Sequence, residues 1–148
     1  MYKSGAITII AAAAAMIASG EAAAQTIIDM KGTWTGTAEA IVDGPAQHHP
    51  APGADGTRPA GKYRLSEQSF TLAIEGQTGR RFWGTTSSAS KTERIIGSLS
   101  VDGKSIHMVD DDGLLDGTIV TADVFNVCYR HVNGGSAVVA CAVVSRKK

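Results

Sequence analysis

The chain has 148 residues, 14 basic residues balanced by 14 acidic ones, and an aromatic content of 5%. Because the charges balance and the basic residues do not cluster, electrostatic attachment to nucleic acid is not expected. The aromatic residues are also too few to form the two girdles that flank an outer-membrane barrel.

The first 24 residues have the pattern of a secretory signal peptide. Lys3 supplies a positive charge, and the stretch AITIIAAAAAMIA that follows is apolar but too short to span a bilayer. Ala22 and Ala24 fit the A-x-A pattern, which predicts cleavage between Ala24 and Gln25. We therefore expect one mature domain, residues 25–148, located in the periplasm or secreted, and not integral to a membrane.

The mature segment predicts an all-β fold. Short runs of β-branched and aromatic residues alternate with turn signals, and almost no stretch has a helical apolar period. Eight strands are predicted, in the order GTWTGTAEAIV, SFTLAIE, RRFWGTTS, ERIIGSLS, KSIHMVD, LLDGTIV, VFNVCYRH and SAVVACAVVS. Consecutive strands joined by tight turns can close into an eight-stranded antiparallel up-and-down barrel, and a β-sandwich is the alternative.

The first and second strands are joined by a long loop rich in Pro and Gly, residues 43–61. Long connections without periodicity are typical of functional lids, binding loops or disordered segments. His48, His49, Asp55 and Arg58 give this loop polar groups with which it could contact a protein partner. Adjacent histidines in a loop do not form a preorganised site, so no metal is predicted there.

Two later turns predict the register of their strands. Asp102-Gly103 is a hairpin turn that pairs Leu99 with Ile106 and Gly97 with Met108 on the inner face. It pairs Ser98 with His107 on the outer face, so His107 is expected at the surface. In the second strand, alternation points Phe70, Leu72 and Ile74 inward.

The only two cysteines are Cys128 and Cys141, and a Gly134-Gly135 turn places them directly opposite each other. Counting outward from Asn133 and Ser136 makes the cysteines a non-hydrogen-bonded pair, whose short Cα separation suits a disulfide. Such a bridge fits an exported protein and is worth about 2–3 kcal/mol in the chain-entropy model. The spacing lacks the C-x-x-C geometry, so redox chemistry is not expected.

The motif GTWTG, with Gly32 and Trp34, followed by an eight-stranded meander, resembles the calycin group of small barrels. That group includes lipocalins, fatty-acid-binding proteins and avidins. The resemblance implies that Trp34 packs across one end of the barrel as a plug and that the interior holds a ligand. It does not extend to biotin, because avidins use several tryptophans and this chain has only Trp34 and Trp83.

Several inward positions carry small residues, namely Gly36, Ala38, Ala40, Gly97, Ala140 and Ala142. Such residues leave room for one small ligand, or they relieve crowding where a barrel tapers or bends. Both interpretations remain open from the sequence.

The residues predicted to bind a ligand are Trp34, Trp83, Met108, Tyr129 and His131. Tyr129 and His131 share the inner face of the last hairpin, where they could hydrogen-bond a carbonyl or carboxylate, or only each other and the backbone. Trp83 points inward only if the loop before it has an even length; otherwise Phe82 takes that place.

The acidic stretch DDDGLLDG, from Asp110 to Gly117, invites a calcium interpretation because Ca²⁺ prefers oxygen ligands. Its spacing does not match an EF-hand loop, so a solvated acidic turn is the better interpretation and no metal is predicted. No nucleophile or phosphate-loop motif is present in the sequence. We therefore expect a protein that is not an enzyme and needs no cofactor.

Two functions follow from these patterns. The first is an exported barrel that binds a small, mostly apolar molecule in its interior. The alternative is a protein-interaction or inhibitor module of the cell envelope that uses loop 43–61, and in that case the interior should be packed solid. Neither pattern indicates the oligomeric state or the identity of a ligand.

Overall fold

The computed structural model describes residues 26–44, 63–133 and 136–148. They form eight strands: β1 (Gly32–Asp43), β2 (Arg64–Thr78), β3 (Arg81–Ser87), β4 (Thr92–Leu99), β5 (Ser105–Val109), β6 (Leu114–Thr121), β7 (Val124–Asn133) and β8 (Ser136–Arg146). Each strand pairs with the next, and β8 pairs antiparallel with β1, which closes the barrel. The predicted all-β, eight-stranded antiparallel barrel is confirmed.

The predicted signal peptide, loop residues 45–61 and the Gly134-Gly135 turn lie outside the described residues. In the part of the chain that the structure describes, no helix is long and apolar enough to cross a membrane. The strand boundaries match the sequence-based ones closely except in β2, which begins at Arg64 rather than at Ser69.

Hairpin geometry determines the register where the turns are tight. Leu99 lies opposite Ile106 and Ser98 opposite His107, as the Asp102-Gly103 turn predicts. In the last hairpin Asn133 pairs with Ser136, and Cys128 pairs with Cys141.

The two cysteines form a disulfide, with their Cα atoms 4.1 Å apart. The bridge therefore joins β7 and β8 at the positions expected from the sequence. It holds the register of the hairpin that closes the barrel against β1.

The β2–β3 hairpin departs from simple alternation because β2 carries a bulge. Gly76 pairs with Trp83, but Ile74 pairs with Gly84, so the register shifts between these pairs. The extra residue on β2 brings Phe82 into the barrel, where it is buried, and leaves Trp83 outside with 46% of its surface exposed. The prediction that Trp83 lines the interior is wrong for this reason.

One end of the barrel is packed solid around Trp34, whose indole N–H donates to the carbonyl oxygen of Met30 at 2.8 Å. Its ring centroid lies 5.1 Å from that of Phe125, and the guanidinium of Arg146 stacks over the Trp34 ring at 4.1 Å from the ring centroid. We call this the packed end. Its buried side chains include Met30, Leu72, Phe82, Ile95, Leu99, Ile106, Met108 and Val144.

Two of the small inward residues make room for aromatic rings. A Cβ atom on Gly97 would lie 2.2 Å from the ring of Phe82, and one on Gly36 would lie 3.1 Å from the ring of Phe70. At these two positions, relief of crowding is therefore the correct interpretation. The inward alanines instead line an open space in the other half of the barrel.

Candidate functional site

The other half of the barrel contains a partly open cavity of about 110 Å³. It lies where β1 and β7 end and where β2 and β8 begin, and we call this the cavity end. An engineered apolar cavity of about 150 Å³ holds benzene, so the smaller space here suits a molecule whose buried body is no larger than one ring or a short alkyl chain. The interior is thus divided between a solid half and a hollow half.

Apolar side chains from β1, β6, β7 and β8 form one wall of the cavity. Alternation along each strand explains the arrangement, because residues two apart point to the same face. The alanines on this wall leave the space that larger side chains would fill. The apolar lining comprises Ala38, Ala40, Val42, Leu115, Val127, Val138, Ala140 and Ala142, with Phe70 at the inner limit.

Polar side chains from β2 and β3 form the facing part of the lining. Arg64, Ser66 and Gln68 alternate inward along β2 in the same phase as Phe70. Thr86 on β3 and Ser88, directly after β3, complete this part of the lining. A wall of this kind can orient a bound molecule by hydrogen bonds while the apolar wall holds its body.

Two atoms of this polar wall are buried without a hydrogen-bond partner, the Nε of Arg64 and the Oε1 of Gln68. The Gln68 side chain is oriented by its own amide nitrogen, which donates to the carbonyl oxygen of Ser69 at 3.0 Å. Buried polar groups in proteins are nearly always satisfied, and leaving one unpaired costs about 1–3 kcal/mol. Two side chains that line the cavity therefore carry one unused donor and one unused acceptor.

Tyr129 and His131 lie side by side at the cavity, with their rings parallel within 6° and 6.5 Å apart. The Tyr129 hydroxyl donates to the Oδ1 of Asp112 at 2.9 Å, and the Nδ1 of His131 lies 2.9 Å from the backbone oxygen of Asp112. Burial first, and then the hydrogen bond to Asp112, raise the pKa of Tyr129 well above its usual value. Tyr129 is thus a neutral donor already engaged by a carboxylate.

Three carboxylates gather beside this pair. One oxygen each of Glu93, Asp110 and Asp112 lies within 4.8 Å of the others, and Glu93 is buried. Lys91 forms an ion pair with Glu93, and its ammonium lies 4.0 Å from Asp112.

Burial raises the pKa of Asp110, which opposes the hydrogen bonds it accepts from the backbone N–H groups of Asp112 and Gly113. The stretch that was interpreted as a solvated acidic turn is therefore half-buried at Asp110 and Asp112. Oxygen ligands of this kind suit a hard cation, but Lys91 already supplies a positive charge to the cluster.

The structure brings together two of the five residues that the sequence predicted to bind a ligand. Tyr129 and His131 line the cavity. Trp34 and Met108 are buried in the packed end instead, and Trp83 lies on the outer face.

Sequence reasoning missed Arg64, Ser66 and Gln68 because it started β2 at Ser69. The signal was present: extending the alternation of Phe70, Leu72 and Ile74 backward places all three residues on the inner face. The same argument, run backward from Leu99 and Gly97, would have placed Glu93 inside on β4.

On the outer face, Ser98, His107 and Asp116 lie next to one another on β4, β5 and β6. The Nδ1 of His107 lies 2.7 Å from the Oδ1 of Asp116, and Arg130 pairs with the other oxygen of that carboxylate. The Ser98 hydroxyl donates to the carbonyl oxygen of Leu99 at 3.2 Å, so it is turned toward its own strand. The hydrogen bond from His107, and then that from Arg130, hold the pKa of Asp116 below its usual value, and the Ser98 hydroxyl takes no part in this contact.

No protein-family model and no curated protein sequence matches this chain. Among solved structures, a protein of unknown function from the DUF3598 family of Nostoc punctiforme is similar, with a TM-score of 0.50 and 14% identity over 80% of this chain and 48% of that one. The S-type phycobiliprotein lyase CPES from Guillardia theta has a TM-score of 0.33 and 12% identity, over 80% of this chain and 89% of that one.

This chain spans about half the length of the DUF3598 protein. At 14% identity that likeness shows a shared fold and nothing further. The function of this chain is therefore inferred from the residues of its cavity.

Proposed function

We propose that this protein is an exported barrel that binds one small, mostly apolar molecule at its cavity end. The observation that supports this most directly is the cavity itself, which has an apolar wall of alanines and valines facing a polar wall with unused hydrogen-bonding atoms. A barrel serving only as a rigid support has no need for a hollow half. The disulfide between Cys128 and Cys141 supports the proposed export, because such bridges persist in oxidising compartments.

The test fills the cavity with a side chain. Ala140 lies on β8 and lines the apolar wall, so Ala140→Phe places a ring of about the right size into the space. Ala137 lies on the same strand but points to the other face, which makes Ala137→Phe the matched control. Native mass spectrometry before and after denaturation measures any small mass that the purified barrel retains.

We expect the wild type and Ala137→Phe to carry a stoichiometric small mass that is lost on unfolding, and Ala140→Phe to carry none. Circular dichroism and retention of the disulfide check that each variant is folded. Ala140→Leu is a smaller change for use if the phenylalanine disturbs folding, and it should reduce the occupied fraction. An empty wild-type barrel from a periplasmic preparation, with no uptake of added small apolar molecules, would contradict the proposal.

The alternative, an interaction module that uses loop 43–61, is not favoured by the described residues because their interior is not packed solid. The loop itself lies almost entirely outside them.

A further inference from the structure

We propose that the ligand of the cavity is a small carboxylic acid that also carries a separate hydrogen-bond donor, with Arg64 binding the carboxylate and Gln68 binding the donor. This inference rests on the proposed function, since it specifies the chemistry of the molecule in the same cavity.

The Arg64 side chain carries the unpaired donor. The Nε–H of Arg64 is buried and has no hydrogen-bond partner. A guanidinium stays charged at any physiological pH, and its fork of donors matches a carboxylate. The group that best satisfies this atom is therefore an anionic oxygen of the ligand, bound by a charge-assisted hydrogen bond.

The Gln68 side chain carries the unpaired acceptor. The Oε1 of Gln68 is buried without a partner, and the amide orientation is set by the bond from its nitrogen to Ser69. A carboxylate cannot satisfy this oxygen, because an ionised carboxylate is only an acceptor. The ligand must therefore bring an O–H or N–H group at a second point.

The distance between Arg64 and Gln68 limits the length of the ligand. Arg64 and Gln68 are four residues apart on the same face of β2, which corresponds to about 13 Å between Cα atoms along an extended strand. A ring with polar substituents at opposite ends, extended by a hydrogen bond at each end, spans a comparable length, so it fits between the two polar groups. The cavity of about 110 Å³ limits the body between these two groups to no more than a single ring.

The charges around the barrel favour one orientation of the ligand. In a closed barrel of eight strands in sequence order, β2 lies across from β6, and the carboxylates of Asp110 and Asp112 come just before β6. An anionic group is repelled on that side and attracted on the Arg64 side. The surrounding charge therefore favours one direction of binding, with the carboxylate toward β2.

The test uses four probes in a two-by-two design, in which the carboxylate and the hydroxyl are each either free or methylated. The probes are 4-hydroxybenzoate, its methyl ester, 4-methoxybenzoate and methyl 4-methoxybenzoate. Isothermal titration calorimetry on the full mature protein measures their dissociation constants. We expect 4-hydroxybenzoate to bind most tightly, the loss of the charge to weaken binding about tenfold or more, and the loss of the hydroxyl about threefold to tenfold.

Two variants assign these preferences to residues. Arg64→Met keeps the stem and removes the donors, so it should abolish the preference for acid over ester while keeping the preference for hydroxyl over methoxy. Gln68→Leu should do the reverse. Arg94→Met is the control, because Arg94 is an arginine on β4 whose side chain is 88% exposed on the outer face.

Failure of this inference is distinguishable from failure of the proposed function. If the neutral probes bind as tightly as the acids and Arg64→Met changes nothing, the cavity binds ligand but not by this chemistry. If none of the four probes binds to the folded wild type, the inference is overturned, and the mass-spectrometric test above decides the fate of the binding function separately. Arg64→Lys checks for a folding defect, since it keeps the charge and should retain part of the preference for the acid.

Discussion

Tyr129 is a half-buried residue whose hydroxyl couples folding to alkaline pH. Its ring covers Gly113, where a Cβ would lie 2.0 Å from the ring, and its hydroxyl donates to Asp112 at 2.9 Å. Because burial and this bond raise its pKa, the unfolded chain loses the phenolic proton first, at about pH 10. The stabilising contribution is therefore fully present below about pH 10 and is lost as the pH rises above it.

Tyr129→Phe tests this coupling. At pH 8 the variant should be less stable by about 1–2 kcal/mol, because the hydrogen bond to Asp112 is lost. Above pH 10 the wild type should lose up to about 1.4 kcal/mol per pH unit more than the variant, since only the wild type has this proton to release on unfolding. Urea unfolding from pH 8 to 11.5 measures both, with Tyr63→Phe as the control for removing a phenol. Equal pH slopes for wild type and Tyr129→Phe would disprove the assignment.

At the scale of elements, the bulge in β2 sets which residues of β3 face the core, and Gly84 is the residue that permits it. Gly84 lies opposite Ile74 at the point where the register shifts. A Cβ at this position would lie 1.9 Å from the carbonyl oxygen of Ala73, which is backbone and cannot move aside easily.

We expect Gly84→Ala to destabilise the protein by roughly 1–3 kcal/mol or more, because the strands must separate to fit one methyl group. Gly79 in the adjacent turn offers the comparison. It has a φ of +58° and no neighbouring atom within 4 Å, so Gly79→Asn should change stability by less than about 1 kcal/mol. The midpoints and slopes of urea unfolding measure both variants. A Gly84→Ala protein as stable as Gly79→Asn would show that the bulge does not depend on this close approach.

The same hairpin shows where sequence reasoning stops. In the β4–β5 and β7–β8 hairpins, counting from the turn predicts the pairings of Leu99 with Ile106 and of Cys128 with Cys141, because no bulge interrupts the one-to-one pairing. A bulge adds a residue to one strand only. No pattern in the sequence predicts the bulge between Ile74 and Gly76, so Trp83 is predicted on the inner face where the structure has Phe82. Arg64 and Gln68 were missed for a different reason: polar residues facing inward look like a loop until the strand is known to continue.

At the scale of the whole molecule, the barrel is divided along its axis into two halves with different roles. The packed end contains Trp34, and the cavity end contains Arg64, which is paired in register with Val42. Trp34 and Val42 are eight residues apart on β1, or about 26 Å along the strand. Sites this far apart, with no shared partner, should affect stability independently.

Arg146 allows this independence to be measured. Besides stacking on Trp34, its guanidinium donates to the backbone oxygens of Lys31 at 2.5 Å and Asp29 at 2.6 Å and pairs with Asp123 at 2.8 Å, so it ties the N-terminal segment to the last strand. We expect Arg146→Met to cost about 2–4 kcal/mol in the free energy of unfolding, through the loss of the cation–π contact and these hydrogen bonds.

The double variant with Ala140→Phe should then show the sum of the two single effects within about 0.5 kcal/mol, and the affinity of Arg146→Met for a cavity ligand should equal that of the wild type. Urea unfolding of the two single variants and the double variant, with titration of 4-hydroxybenzoate, measures both quantities. A coupling above 1 kcal/mol, or a tenfold loss of affinity in folded Arg146→Met, would mean that the packed end controls the cavity. The closed barrel would then transmit changes along its axis, because β1 and β8 each carry residues of both ends.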